Sequence, residues 1–128
     1  ETAFQALADS APKPMRAAYF IWRKPYMVAA GGTFIHDMMQ RAGFENVFAD
    51  RPRYPEIDLG TLAVAAPGAI LLSSEPYPFA EKHMAAFREV CPLARIEVVD
   101  GEIFSWYGSR LLHAPAYFRK LQEKLRIV

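Results

Sequence analysis

Apolar positions along the chain fall into two alternating patterns. Arg16 to Trp22 is rich in aromatic and aliphatic residues and sits between Pro14 and Pro25, as a buried strand does. After Gly31-Gly32, Thr33 is placed to cap a helix whose Ile35, Met38, Met39 and Ala42 recur at i, i+3, i+4 and i+7, with Gly43 as the stop. Asn46 to Phe48 reads as a short strand, and the proline-studded stretch Asp50 to Glu56 as a surface loop. Asp58 then caps a second helix that buries Leu59, Leu62, Ala63 and Ala66 and ends at Pro67-Gly68. Ala69 to Leu72 is an apolar run of the kind found in the middle of a parallel sheet. A helix from Phe79 to Val90 follows, with Ala80, Met84 and Phe87 on one face. Ala94 to Val99 makes the next strand. The last helix runs from Ser109 to Arg126, kinked or truly begun at Pro115, with Phe118, Leu121 and Leu125 as its apolar stripe.

Strands that alternate with helices, joined by connections too long for hairpins, specify an α/β fold. Its mainly parallel sheet, of four to five strands, is covered on both faces by right-handed crossovers. At 128 residues the chain is long enough to bury a core without disulfides or metals. Its single cysteine, Cys91, reads as a small buried residue at a helix end rather than a reactive thiol. A net charge of +1 leaves no electrostatic footprint for nucleic acid. No apolar run approaches the roughly 20 residues that span a bilayer.

The chemistry of catalysis is thinly represented. No Gly-x-Ser-x-Gly elbow follows a strand, and neither a dinucleotide fingerprint nor a phosphate loop is present, so neither a catalytic residue nor a cofactor is assigned. His36, His83 and His113 lack metal-ligand spacing and read as residues of helix faces or ends. Gly31-Gly32-Thr33 offers amides to an anion, or simply caps a helix. Glu75, Asp100 and Glu102 share one edge of the sheet as candidate acid and base groups, with a separation that only the fold sets.

Aromatics are the stronger signal. Three segments, 20–26, 73–79 and 104–107, each leave the carboxyl end of an apolar run, the edge at which open parallel sheets bind ligands. Trp22, Tyr26, Tyr77, Trp106 and Tyr107 lie beside Pro, Gly, Ser and charged residues, where they serve either loop packing or a bulky organic ligand. Arg23 and Lys24 are either solvated loop charges or cationic donors that favour an anionic ligand.

Five segments in order carry a resemblance: 21–27 (Ile-Trp-Arg-Lys-Pro-Tyr-Met), 31–35 (Gly-Gly-Thr-Phe-Ile), 43–48 (Gly-Phe-Glu-Asn-Val-Phe), 73–79 (Ser-Ser-Glu-Pro-Tyr-Pro-Phe) and 100–110 (Asp-Gly-Glu-Ile-Phe-Ser-Trp-Tyr-Gly-Ser-Arg). From Arg16 onward the chain resembles the carboxyl-terminal lobe of the substrate-binding proteins of ABC importers for ferric siderophores, haem and vitamin B12. In that family two α/β lobes are joined by one rigid helix and hold ligand in the cleft between them. The resemblance implies that residues 1–14 are the end of the connecting helix and a linker, and that 15–128 form a three-layer α/β/α lobe. It implies an extracytoplasmic, periplasmic protein, lipid-anchored or free, that is no enzyme. Its partners are a ferric chelate, haem or corrinoid, a missing amino-terminal lobe, and the importer's permease. By position, Trp22, Tyr26, Tyr77, Trp106 and Tyr107 would wall the cleft, Arg23 and Lys24 would attract a ferric siderophore's negative charge, and Glu81, or second Glu75, would meet permease arginines. Glu81 equally reads as a carboxylate that complements a helix dipole. Two other functions stay open: an α/β enzyme of the metal-chelatase kind using Glu75, Asp100 and Glu102, and a protein-interaction module docking through the same aromatics.

Overall fold

A computed structural model describes residues 14–101 and 114–126. Its strands are β1 (Met15–Trp22), β2 (Met27–Val28), β3 (Phe44–Asn46), β4 (Ala69–Ser73) and β5 (Arg95–Val99). Its helices are α1 (Phe34–Arg41), α2 (Leu59–Ala65), α3 (Met84–Val90), preceded by a 3₁₀ turn at Glu81–His83, and α4 (Ala114–Arg126).

The sheet is built around β1. It pairs in parallel with β4, Ala17 opposite Ala69 through Phe20 opposite Leu72, and β4 pairs in parallel with β5. The other edge of β1 is shared: β3 runs parallel to its first residues, and β2 pairs antiparallel with its last. This two-residue antiparallel strand was not expected from the sequence. It is too short to show a period of two, and it arises because the chain turns back at 23–26 within hydrogen-bonding reach of β1. The expected parallel α/β architecture is otherwise what the chain adopts.

Strand alternation divides the core in two. Ala17, Tyr19, Ala69 and Leu71 face one side with Met38 and Met39 of α1 and Phe118 and Leu121 of α4. Ala18, Phe20, Ile70 and Leu72 face the other with Leu62 of α2 and Met84 and Phe87 of α3. Successive side chains of a strand point to opposite faces, so the continuous apolar runs of β1 and β4 are those of strands covered on both sides. Burying a side chain the size of Leu or Phe contributes about 1.5–3 kcal/mol, and Tyr19, Phe20, Leu71 and Leu72 are fully buried in adjacent central strands.

Local chemistry sets the element ends. The Thr33 hydroxyl accepts from the His36 amide and donates to the Ala30 carbonyl, and an Asp58 carboxylate oxygen accepts from the Thr61 amide at 2.7 Å. Both expected caps are therefore in place. Other expectations shift. The short strand lies at Phe44–Asn46 rather than Asn46–Phe48, because Asn46 turns the chain: its side-chain oxygen accepts from the Phe48 amide and its Nδ2 donates to Ala29. Of the four residues expected to be buried along α2, only Leu62 is fully so; Leu59 and Ala63 are half-buried and Ala66 is exposed. Ala66 ends that helix in the left-handed region (φ 50°), ahead of Pro67-Gly68. The helix expected from Phe79 starts as the 3₁₀ turn at Glu81 and becomes α3 only at Met84, leaving Ala80 exposed and extended. The described part of the last helix starts at Ala114, with Pro115 in its first turn where a missing amide costs nothing. Cys91 is buried at the end of α3, and desolvation pushes its thiol pKa up, as expected of a structural cysteine.

Candidate functional site

The carboxyl ends of β1, β4 and β5 lie side by side because the three strands run parallel and in register. Hydrogen bonds behind that edge tie the exits together. The Tyr19 hydroxyl donates to Ser73 Oγ at 3.1 Å, Ser73 Oγ donates to the Glu75 carbonyl at 2.5 Å, and the Gly101 amide donates to Ser74 Oγ at 3.0 Å. Burial keeps Tyr19 protonated far above its ordinary range, so it works as a fixed donor. Gly101 is there for space: a Cβ at this position would come 2.5 Å from Ser73 Oγ and 2.9 Å from the Glu75 carbonyl oxygen.

On that frame sits a connected set of rings. Trp22, leaving β1, meets Tyr77, leaving β4, edge to face at 5.5 Å between centroids. Tyr77 packs on Phe79 at 4.8 Å and on the His83 ring at 5.5 Å. Behind them Tyr26 packs on Phe20 and Phe87, and Phe87 on Phe20 and Phe79, so the set is rooted in the core. Trp22 is the outermost member at 39% exposure. Edge-to-face pairs contribute about 0.5–1.5 kcal/mol beyond buried area, enough to hold Trp22 and Tyr77 in one arrangement before any ligand arrives.

Arg23 lies near Tyr77 and Tyr26. The neighbouring Tyr77 hydroxyl, then that of Tyr26, push the Arg23 pKa further up, which keeps a permanent cation beside the aromatic face. Lys24 is exposed and takes a left-handed conformation, φ 64°, in the turn between β1 and β2. Non-glycine residues in that region are sparse and cluster at ligand sites.

Of the aromatics and cations singled out in the sequence, the structure thus brings Trp22, Arg23, Tyr26 and Tyr77 together. Tyr26 is half-buried beneath the others, its ring in the core and its hydroxyl toward Arg23. Glu75 is half-buried at the β4 exit, close to Gly101, and Asp100 lies at the β5 exit, its backbone amide donating to the Tyr117 hydroxyl at 2.8 Å. Glu81 is exposed on the 3₁₀ turn. Trp106, Tyr107, Glu102 and His113 fall outside the described residues.

His83 stands at a helix end, as read from the sequence, but its role there is one that sequence reasoning missed. It is not an isolated helix-face histidine: its Nδ1 accepts from the Ala80 amide at 2.9 Å and its Nε2 lies 3.4 Å from the Tyr77 hydroxyl. Desolvation first, then the charges of Arg23 and Lys82, lower its pKa. A side chain reaching back three residues to an amide at a helix start is half of a capping box, and Ala80-x-x-His83 was the available signal. His36 stays at the start of α1, its Nδ1 3.3 Å from Asn46 Nδ2. Among the described residues no group of three His, Cys, Asp or Glu side chains is placed to hold a metal ion. An apolar groove of about 370 Å³, which includes Val90, Cys91 and Leu93, lies at the opposite, amino-terminal end of β4 and β5.

The fold and this edge define a class of architecture: an α/β lobe whose mainly parallel sheet carries an aromatic wall at its carboxyl edge. No protein-family model and no curated protein sequence matches the chain. Solved structures do. The periplasmic vitamin B12 binding protein of Vibrio cholerae superposes on 99% of this chain and 52% of its own, with a TM-score of 0.79 at 18% identity. The periplasmic haem binding protein of Vibrio cholerae covers 98% and 53%, with a TM-score of 0.75 at 16% identity. A protein of the Fe3+-hydroxamate transport system of Saccharomonospora viridis covers 98% and 46%, with a TM-score of 0.64 at 18% identity. The chain spans about half the length of these structures, with the fold of that half.

Proposed function

We propose that the chain is one lobe of an extracytoplasmic solute-binding protein that captures an iron chelate, haem or a cobalamin-like corrinoid and delivers it to an ABC importer. The observation that carries this is the aromatic wall at the carboxyl edge of the sheet, with an exposed Trp22 held on Tyr77 and Arg23 held beside it. A large, partly apolar, negatively charged chelate suits such a wall: the rings supply flat contact and the guanidinium a charge-assisted hydrogen bond. Lys24 adds a second cation, and Trp106 and Tyr107, which fall outside the described residues, are assigned to ligand contact as well. Tyr26 supports the wall from below. The second wall of the cleft belongs to another lobe of the same protein. Glu81, and after it Glu75, are the carboxylates assigned to contact the membrane permease. The lobe catalyses nothing in this reading.

Neighbours that bind vitamin B12 and haem, and one from an Fe3+-hydroxamate transport system, support the ligand class. They do not choose among its members. A titration of the two-lobed protein and of this lobe alone with haem, cyanocobalamin and ferrichrome tests the reading. One ligand binds the two-lobed protein far more tightly than the lone lobe; equal affinities, or no binding to either, overturn it.

A further inference from the structure

His83 is absent from the ligand contacts proposed above, yet it is held at both ring nitrogens. An amide N–H is only a donor, so the Ala80 amide at 2.9 Å requires a bare Nδ1 and puts the proton of the neutral ring on Nε2. That Nε2–H faces the Tyr77 hydroxyl oxygen at 3.4 Å, a long contact steadied by the packing of His83 on both Tyr77 and Phe79. Tyr77 oxygen is then taken up as an acceptor by His83. Its own proton is left to point away from the His83 ring.

We infer that His83 is a positioning residue of the wall: anchored by the Ala80 amide, it fixes the Nε2–H tautomer and so makes the Tyr77 hydroxyl a hydrogen-bond donor to an anionic or carbonyl oxygen of the bound molecule. This rests on the proposed ligand-binding role of the wall and deepens it, assigning the ligand an acceptor oxygen beside a flat apolar surface. It also carries a pH dependence. Protonating His83 removes the acceptor that the Ala80 amide needs and so releases the ring from its place beside Tyr77, the remaining titratable neighbour, while Arg23 from the β1–β2 turn and Lys82 from its own turn oppose that protonation. Affinity therefore falls as the pH drops through the His83 pKa, which lies below the ordinary histidine value.

Two measurements test it. Nitrogen-detected NMR of the histidine rings in the ligand-free protein reports the tautomer directly; Nε2–H is expected, and an Nδ1–H ring, or a mixture of tautomers, overturns the inference whatever the ligand. Titration of the two-lobed protein with haem, followed by its absorbance, then compares Tyr77→Phe, His83→Phe, His83→Asn and the Tyr77→Phe/His83→Phe pair. Loss of one hydrogen bond weakens binding about tenfold. Asparagine keeps an acceptor for the Ala80 amide, so His83→Asn retains the fold and still loses affinity. The double variant binds no worse than Tyr77→Phe alone, and the acid-side loss of affinity disappears from the three variants that lack His83. Additive losses, or an unchanged pH profile in a folded His83→Asn protein, overturn the inference. If haem, cyanocobalamin and ferrichrome all fail to bind the unmodified protein, the chelate-carrier reading falls, while the tautomer remains decided by NMR.

Discussion

Trp22 stands edge-on to Tyr77 at an interplanar angle of 77°, joining the exits of two parallel strands through side chains alone. Phe20 and Leu72 are opposite one another in the sheet, so the two rings extend a register already set by backbone hydrogen bonds. What the pair adds is a presented surface. Trp22→Ala is expected to lower the unfolding free energy measured in urea by only about 0.5–1.5 kcal/mol, because an outer ring of this kind contributes mainly its edge contact. Affinity for the ligand is expected to fall at least tenfold in the same variant. A loss of stability without a loss of binding would put Trp22 in the scaffold and outside the site.

Phe87 is the ring on which the wall is rooted, fully buried and in contact with Phe20, Tyr26 and Phe79. Phe87→Ala is expected to cost about 3–5 kcal/mol, the range for emptying a phenylalanine site in a core. Phe87→Leu, which retains most of the volume, costs distinctly less. Equilibrium denaturation measures both.

Gly101 lets β5's exit lie against that of β4. Gly101→Ala forces Ser73 and Glu75 apart, since backbone as well as side-chain atoms stand in the way of the new methyl group. A destabilisation of about 1–3 kcal/mol is expected, the cost of overpacking. The Ser73 and Glu75 amide resonances shift in the NMR spectrum while those of α1 stay in place.

Asn46, buried, satisfies both the Ala29 carbonyl and the Phe48 amide. Asn46→Ala leaves two buried backbone groups short of a partner and is expected to cost about 1–3 kcal/mol for each one that water does not reach. Faster amide exchange at Phe48 reports the same event locally.

Stability carries a histidine signature on the acid side. The folded-state pKa of His83 is depressed from 6.5, so the unfolded chain binds the proton more readily. Its contribution is fully present above that unfolded value and is lost as the pH falls through 6.5 toward the lower folded pKa. The slope of stability against pH in this window is expected to flatten in His83→Phe, as thermal melts across the window would record.

How much of this is written in the sequence differs from element to element. The helix after Thr33, the helix after Asp58 and the strand at Ala69 were legible because each carries its own signal: a capping side chain with periodic apolar positions, or a short uninterrupted apolar run. The placement of Trp22 and Tyr77 at strand exits was legible for the same reason, and so was the α/β class that puts those exits on one edge. β2 was not, because two residues have no periodicity and owe their strand to hydrogen bonds from β1. Nor was the position of β3, which the Asn46 side chain decides through partners 17 residues back and two ahead. His83 looked like a helical histidine because the 3.6-residue period cannot distinguish a helix from a 3₁₀ turn whose first amide is capped by that side chain. The chain's own residues thus determined which elements form, which faces are apolar and which aromatics leave the strands. Only the tertiary structure decided that Trp22, Arg23, Tyr77 and His83 meet, because their contacts run across strands and turns, where geometry depends on register and packing rather than on neighbours in sequence.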